Sequence, residues 1–126
     1  MIFGIGIDLV EPQRIERLRG KYGERFARRV LTPLEWPAYL RTARPVLFLA
    51  NRFAAKEAFS KAMGTGFRYP VTLQCISVVQ ERSGKPGLAF HPKLEELVRS
   101  RGIVRHHLTI SDEQSLACAC VVLEVE

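Results

Sequence analysis

The chain opens on an apolar run, residues 2–9, interrupted only by Gly4, Gly6 and Asp8. A run so short and so apolar predicts a buried strand, ending near Asp8. Pro12 suits the first turn of a helix, where its missing N–H costs nothing. Ile15, Leu18, Tyr22, Phe26 and Val30 then recur at three- and four-residue steps, the spacing of an apolar helical stripe. Gly20 and Gly23 are expected to break or bend that helix. Thr32-Pro33-Leu34-Glu35 has the form of a capping box, which predicts a short third segment, cut by Pro37 and finished before Pro45. The next helix is predicted over 46–63, with Gly64 as its C-terminal stop.

Beyond Gly64 the period changes. Residues 73–81 read as a strand, Ser83-Gly84-Lys85-Pro86 as a turn and residues 87–90 as the returning strand. Residues 92–101 read as a helix ending at Gly102. Residues 106–111 and 116–125 read as two further strands around an Asp112-Glu113-Gln114 turn. The order β-ααα-ββ-α-ββ predicts an α+β fold with a mainly antiparallel sheet packed on the long helix. A chain of 126 residues has room for one such domain, over 1–126.

Composition narrows this little: 47% hydrophobic and 25% charged residues are ordinary for a globular protein. No uncharged run is long enough to span a bilayer, and Met1 is followed by neither a basic region nor a long apolar one. A cytoplasmic protein without a membrane partner is expected. Cys118 and Cys120 lie two apart and Cys75 stands alone, without the spacing of zinc ligands, so buried thiols in a reducing compartment are expected. Charge is more informative. Residues 1–68 carry a net +7 and residues 69–126 a net −1, so the overall +6 belongs to the N-terminal half. Its partners are expected to be anionic: phosphates, nucleic acid or an acidic protein.

Gly4-Ile5-Gly6 lacks the third glycine of a dinucleotide fingerprint, whose position is held by Leu9, and no strand precedes it. Asp8, at a strand end before a helix, reads either as a helix cap or as a ligand for a hard cation, which takes one or two carboxylates and completes its shell with water and phosphate. Glu57 and Lys61 are four apart in the order that favours a helical ion pair, worth about 0.3–0.5 kcal/mol. At about 100° per residue, Ala54, Ala55, Ala58, Phe59 and Ala62 form one apolar arc. Glu57 and Lys61 lie along one border of the polar side, and Arg52 and Lys56 along the other. An Asp8 packed near such a helix could share a divalent ion with Glu57 while Lys61 faced phosphate. Arg14, Arg17, Lys21, Arg25 and Arg28 make a basic face with only Glu16 and Glu24 nearby, which favours a docking surface. Aromatic residues are not interleaved there, as a stacking platform for nucleic acid would require. His91, His106 and His107 share no ligand spacing, and no nucleophile elbow is present.

Together, GIGIDLVEPQRI at the start, RFAAKEAFSKAMGTG in the middle, GKP at 84–86 and HLTISDEQSLACACVVLE near the end resemble the 4′-phosphopantetheinyl transferase family in its short form, the holo-acyl-carrier-protein synthases. The match runs in order over nearly the whole length. The resemblance implies transfer of 4′-phosphopantetheine from coenzyme A to a serine of an apo acyl carrier protein, with release of adenosine 3′,5′-bisphosphate, in fatty acid synthesis. It implies that Asp8 and Glu57 hold Mg²⁺ on the pyrophosphate and that Lys61 lies near those phosphates. It further implies that Arg14, Lys21 and Arg25 dock an acidic carrier protein. The short form is homotrimeric, with active sites between subunits. Arg52, Lys85 and Pro86 of the Gly84-Lys85-Pro86 turn, and Thr109 of the 109–112 segment are thereby expected from a neighbouring subunit to complete the coenzyme A pocket, to which Gly64 also belongs. Asp112 stands where some relatives carry histidine, and an anion there cannot pair with a 3′-phosphate. Two alternatives stay open at this point: a basic module binding nucleic acid through its first helix, and a nucleotide-binding relative without transfer activity.

Overall fold

The computed structural model describes residues 1–126. β1 runs over Ile2–Val10, and Pro12 opens α1, Pro12–Tyr22. Gly23, at φ 60°, separates α1 from α2, Glu24–Val30, while Gly20 stays inside α1. Of the two expected breaks only the one at a left-handed glycine occurs, a conformation that other residues resist.

The expected capping box forms by half. Glu35 Oε1 accepts from the Thr32 N–H at 2.9 Å, but the Thr32 hydroxyl is paired with Ser77 Oγ at 2.6 Å. Consequently α3 starts after the box, at Trp36–Arg41, and Pro37 sits in its first turn without cutting it. α4 spans Pro45–Met63 and stops at Gly64, left-handed at φ 78°.

A single 3₁₀ turn, Leu73–Cys75, takes the first residues of the strand expected at 73–81, leaving β2 as Ile76–Gln80. β3 is Pro86–Phe90, α5 Pro92–Ser100, β4 Ile103–Glu113 and β5 Leu116–Val125. β4 exceeds the expected strand at both ends. Asp112 pairs with Ala117 and Glu113 with Leu116, so the turn tightens to Gln114-Ser115, the two-residue connection that suits strand twist. β1, β5 and β4 form one antiparallel sheet in that order, and β2 and β3 form a separate hairpin. The fold is α+β with antiparallel sheets. No helix is long and apolar enough to cross a membrane.

α4 lies on the three-stranded sheet and directly on β1. Its apolar arc, Ala54, Ala55, Ala58, Phe59 and Ala62, is buried. A Cβ on Gly6 would overlap the carbonyl oxygen of Ala58, and one on Gly4 that of Ala62. Glycine in this strand therefore serves the approach of another backbone. Alternation then sorts β1: Gly4, Gly6, Asp8 and Val10 face α4, whereas Ile5, Ile7 and Leu9 point away and remain 62%, 57% and 60% exposed. Across from them on β5 stand Val122, Cys120 and Cys118, all half-buried. Cys75 alone among the three free thiols is buried, so the expectation of buried cysteines holds for one. The other two sit on this open sheet face, which nothing in the chain covers.

The Gly6 contact is open to test. Gly6→Ala is expected to lower stability by about 1–3 kcal/mol, the usual cost of overpacking. Denaturant unfolding measures it; an unchanged midpoint would mean that α4 does not rest on β1 in this way.

Candidate active site

Asp8 is the last of the polar or glycine positions that β1 turns toward α4, and its side chain is 14% accessible. It does not cap α1. Glu11 holds the cap position, and no side chain makes a capping bond there. Asp8 Oδ1 instead accepts from Lys61 Nζ at 3.0 Å, and the same ammonium donates to the Ile7 carbonyl at 3.1 Å. The helical ion pair that Glu57 and Lys61 could have made is therefore absent, because Lys61 reaches across to β1.

Glu57 is half-buried between these elements. Burial first, and the Asp8 carboxylate second, push its pKa above the ordinary value, while Lys61 and Arg14 pull it back. Two carboxylates thus share one site with two cations at its edge. Their donor set is oxygen only, which suits a hard divalent cation that brings its own water and phosphate oxygens. Charge between Asp8 and Glu57 would also relieve the repulsion that raises Glu57. On both counts these residues fit Mg²⁺.

Arg14 stands on the first turns of α1, exposed and close enough to Glu57 to act on it electrostatically. Lys21 lies farther along α1 and Arg25 on α2, both exposed, so the basic face spans two helices bent at Gly23. Gly64 caps α4 through its N–H to the Lys61 carbonyl at 3.0 Å. Lys85 and Pro86 lie at the β2–β3 turn, and Thr109 is exposed on β4, opposite Cys120 and so on the sheet face away from α4. None of Arg52, Lys85, Pro86 and Thr109 makes a hydrogen bond or ion pair with Asp8, Glu57 or Lys61. Asp112 accepts from Asn51 Nδ2 at 3.0 Å.

Lys56 departs from its expected place on the polar border of α4. It is fully buried, and its Nζ donates to Glu35 Oε1 at 2.6 Å, Val30 O at 2.5 Å and Leu73 O at 3.0 Å. Burial pushes the ammonium pKa down and Glu35 pulls it back up. Arg52 follows Lys56 inward: its guanidinium lies 3.8 Å from the centre of the Phe48 ring, and Nε is 3.7 Å from Glu35 Oε2. The periodicity of α4 alone misses this, because the acid that draws both cations in lies on another segment. Its only sequence signal is the capping box, in which Glu35 had a different explanation.

The family model of the 4′-phosphopantetheinyl transferase superfamily matches residues 4–121. A holo-[acyl-carrier-protein] synthase of Nitrosospira multiformis is 61% identical, covering 98% of this chain and 99% of that protein. That of Nitrosomonas eutropha is 59% identical at the same coverage. Among solved structures, the holo-[acyl-carrier-protein] synthase of Neisseria meningitidis superposes with a TM-score of 0.95 at 45% identity, covering 98% of this chain and 99% of that one. The Bacillus anthracis enzyme, solved in complex with CoA (3′,5′-ADP), gives 0.82 at 39% identity over 100% of this chain and 99% of that one. The chain belongs to the 4′-phosphopantetheinyl transferase superfamily, as an enzyme of its holo-[acyl-carrier-protein] synthase type.

Proposed function

We propose that the chain transfers 4′-phosphopantetheine from coenzyme A to a serine of apo acyl carrier protein, with Asp8 and Glu57 holding Mg²⁺. The observation that carries it is the meeting of Asp8, Glu57, Lys61 and Arg14 where β1, α4 and α1 converge. The coenzyme A complexes of relatives support the donor.

In the transfer, the serine oxygen forms a bond to the β-phosphorus of coenzyme A as the bond to adenosine 3′,5′-bisphosphate breaks. Held by Asp8 and Glu57, Mg²⁺ would supply positive charge to neutralise pyrophosphate oxygens and favour departure of the bisphosphate. Lys61 adds positive charge where the leaving group gathers negative charge. Glu57 is the candidate acceptor of the serine proton, and a water between them is the better route, because a carboxylate that shares a cation is a weak base. The chain need supply no nucleophile. Arg14, near enough to act on Glu57, and Lys21 and Arg25 farther along α1 and α2 would present cations to the acidic carrier protein.

Assembly into a homotrimer is part of the same proposal. Ile5, Ile7 and Leu9 make an apolar row on the open sheet face, where Thr109 also stands. Thr109 and the Asp8–Glu57 pair are on opposite faces of one sheet, so one subunit alone cannot bring them to one ligand. A neighbour's Thr109 and Gly84-Lys85-Pro86 turn would complete the pocket.

Carrier mass after incubation with coenzyme A and Mg²⁺ tests the activity. Asp8→Ala and Glu57→Ala are expected to abolish the gain of phosphopantetheine without unfolding the protein, and near-normal turnover in either would remove the metal assignment. Charge reversal at Arg25 should raise the carrier KM with little change in kcat, whereas at Arg14, which also acts on Glu57, both should suffer.

Glu57 also sets a pH dependence. Its folded pKa is raised, so protonated Glu57 favours the fold at low pH, and that contribution is lost as pH rises through the folded value. In metal-free buffer at neutral pH, Glu57→Gln is therefore expected to melt at or above the wild-type temperature, with the gap closing as pH falls through the acid range. A Glu57→Gln protein clearly less stable than wild type at neutral pH would contradict the repulsion.

Sedimentation should give a trimer for the wild type and smaller species for Ile7→Glu, which places a charge in the apolar row. A wild-type monomer at catalytic concentrations would end the shared-site proposal.

A further inference from the structure

Lys56 and Glu35 take no part in the chemistry just described, yet they are the two fully buried charged side chains of the fold. The Lys56 ammonium has three protons and three acceptors: Glu35 Oε1, Val30 O and Leu73 O. Glu35 in turn accepts from Thr32 N at 2.9 Å and Val78 N at 3.0 Å. One side chain of α4 is thereby tied at once to the end of α2, the turn before α3, the 3₁₀ turn and β2. Buried pairs of this kind are weak contributors to stability, since an apolar pair of similar volume often does as well. What they supply is direction.

Direction matters at the next residue. Lys56, Glu57 and Ala58 are consecutive, and successive helical residues point about 100° apart. Lys56 is gripped on one flank of α4 and Ala58 rests on Gly6 at the other, with Glu57 between them. The glycine contact sets how close α4 comes to β1, but glycine has no side chain to stop the helix turning about its own axis. The directional hydrogen bonds of Lys56 do stop it.

We infer that the buried Lys56–Glu35 pair is a positioning device for Glu57, fixing the rotation of α4 at which Glu57 faces Asp8. It rests on the assignment of Asp8 and Glu57 as divalent-metal ligands. Neither Lys56 nor Glu35 touches the reacting atoms.

Mn²⁺ binding in the presence of coenzyme A, followed by electron paramagnetic resonance, tests it apart from turnover. Lys56→Met should lower the melting temperature by leaving buried Glu35 with only Arg52, 3.7 Å away, as its cation, and Glu35→Gln/Lys56→Met should restore it. The restored protein should still bind Mn²⁺ about 10–100-fold more weakly than wild type, the usual effect of losing a group that orients a ligand. Its kcat should fall while the carrier KM holds. If the double variant does not fold, Glu35→Gln alone, which leaves Lys56 its two carbonyl acceptors, is expected to fold and to weaken Mn²⁺ about 10-fold. Leu94→Ala, a core truncation on α5, should lower the melting temperature with Mn²⁺ affinity unchanged. Wild-type Mn²⁺ affinity in whichever of the two charge variants folds would overturn the inference, as would an equal loss in Leu94→Ala. Wild-type affinity in Glu57→Gln would instead overturn the metal assignment on which it stands.

Discussion

The contact of α4 with β1 is the constraint on which the rest depends. Because Gly4 and Gly6 carry no side chain, the helix backbone rests against the strand backbone at Ala62 and Ala58. That closeness brings Asp8, two residues beyond Gly6, up to Glu57. Left to themselves the two carboxylates would part. Two like charges about 4 Å apart cost about 4 kcal/mol near a protein surface, and against that stand the cations Lys61 and Arg14 and the buried arc, in which Phe59 alone contributes roughly 1.5–3 kcal/mol. With Phe59 and the alanines of the arc all buried, packing wins, and the repulsion is left standing in the site.

α4 treats its charges in two ways. Lys56 and Glu35 lie in the interior with every strong donor and acceptor engaged, and they act on the helix as a mechanical tie. Asp8 and Glu57 lie at the margin, only partly neutralised by Lys61 and Arg14. The first set is complete within the chain. The second has capacity left for a cation and for phosphate, and the proposed role of the site draws on that difference.

Local signals made most of the elements legible in the sequence. Pro12, Gly23 and Gly64 act through their own backbone preferences, and the apolar arc of α4 through its period. Boundaries failed where a partner far along the chain decided them. The Thr32 hydroxyl left its capping box for Ser77, and β4 lengthened because β5 offered pairs up to Leu116. The site was legible in part for the same reason. Asp8, Glu57 and Lys61 were visible as types at plausible positions, but whether Lys61 turned to Glu57 or to Asp8 depended on how closely α4 approached β1. Gly4 and Gly6 carried that information, and as a failed nucleotide fingerprint they were easily set aside. Lys56 escaped altogether, because a helix wheel cannot show that a glutamate elsewhere will pull a lysine into the core.

β1 has consequences for how this enzyme can vary. Its even positions from Gly4 to Val10 face the helix and its odd positions Ile5, Ile7 and Leu9 face outward, so catalysis and the proposed assembly are written on alternate letters of one word. Inserting or deleting one residue would exchange the two messages along the rest of the strand, presenting isoleucines to the helix and the Asp8 carboxylate to the far side. Mutational tolerance in the enzyme should therefore be lowest here, and of an uncommon kind: the segment can accept neither a shift of frame nor, at its glycines, a single added methyl.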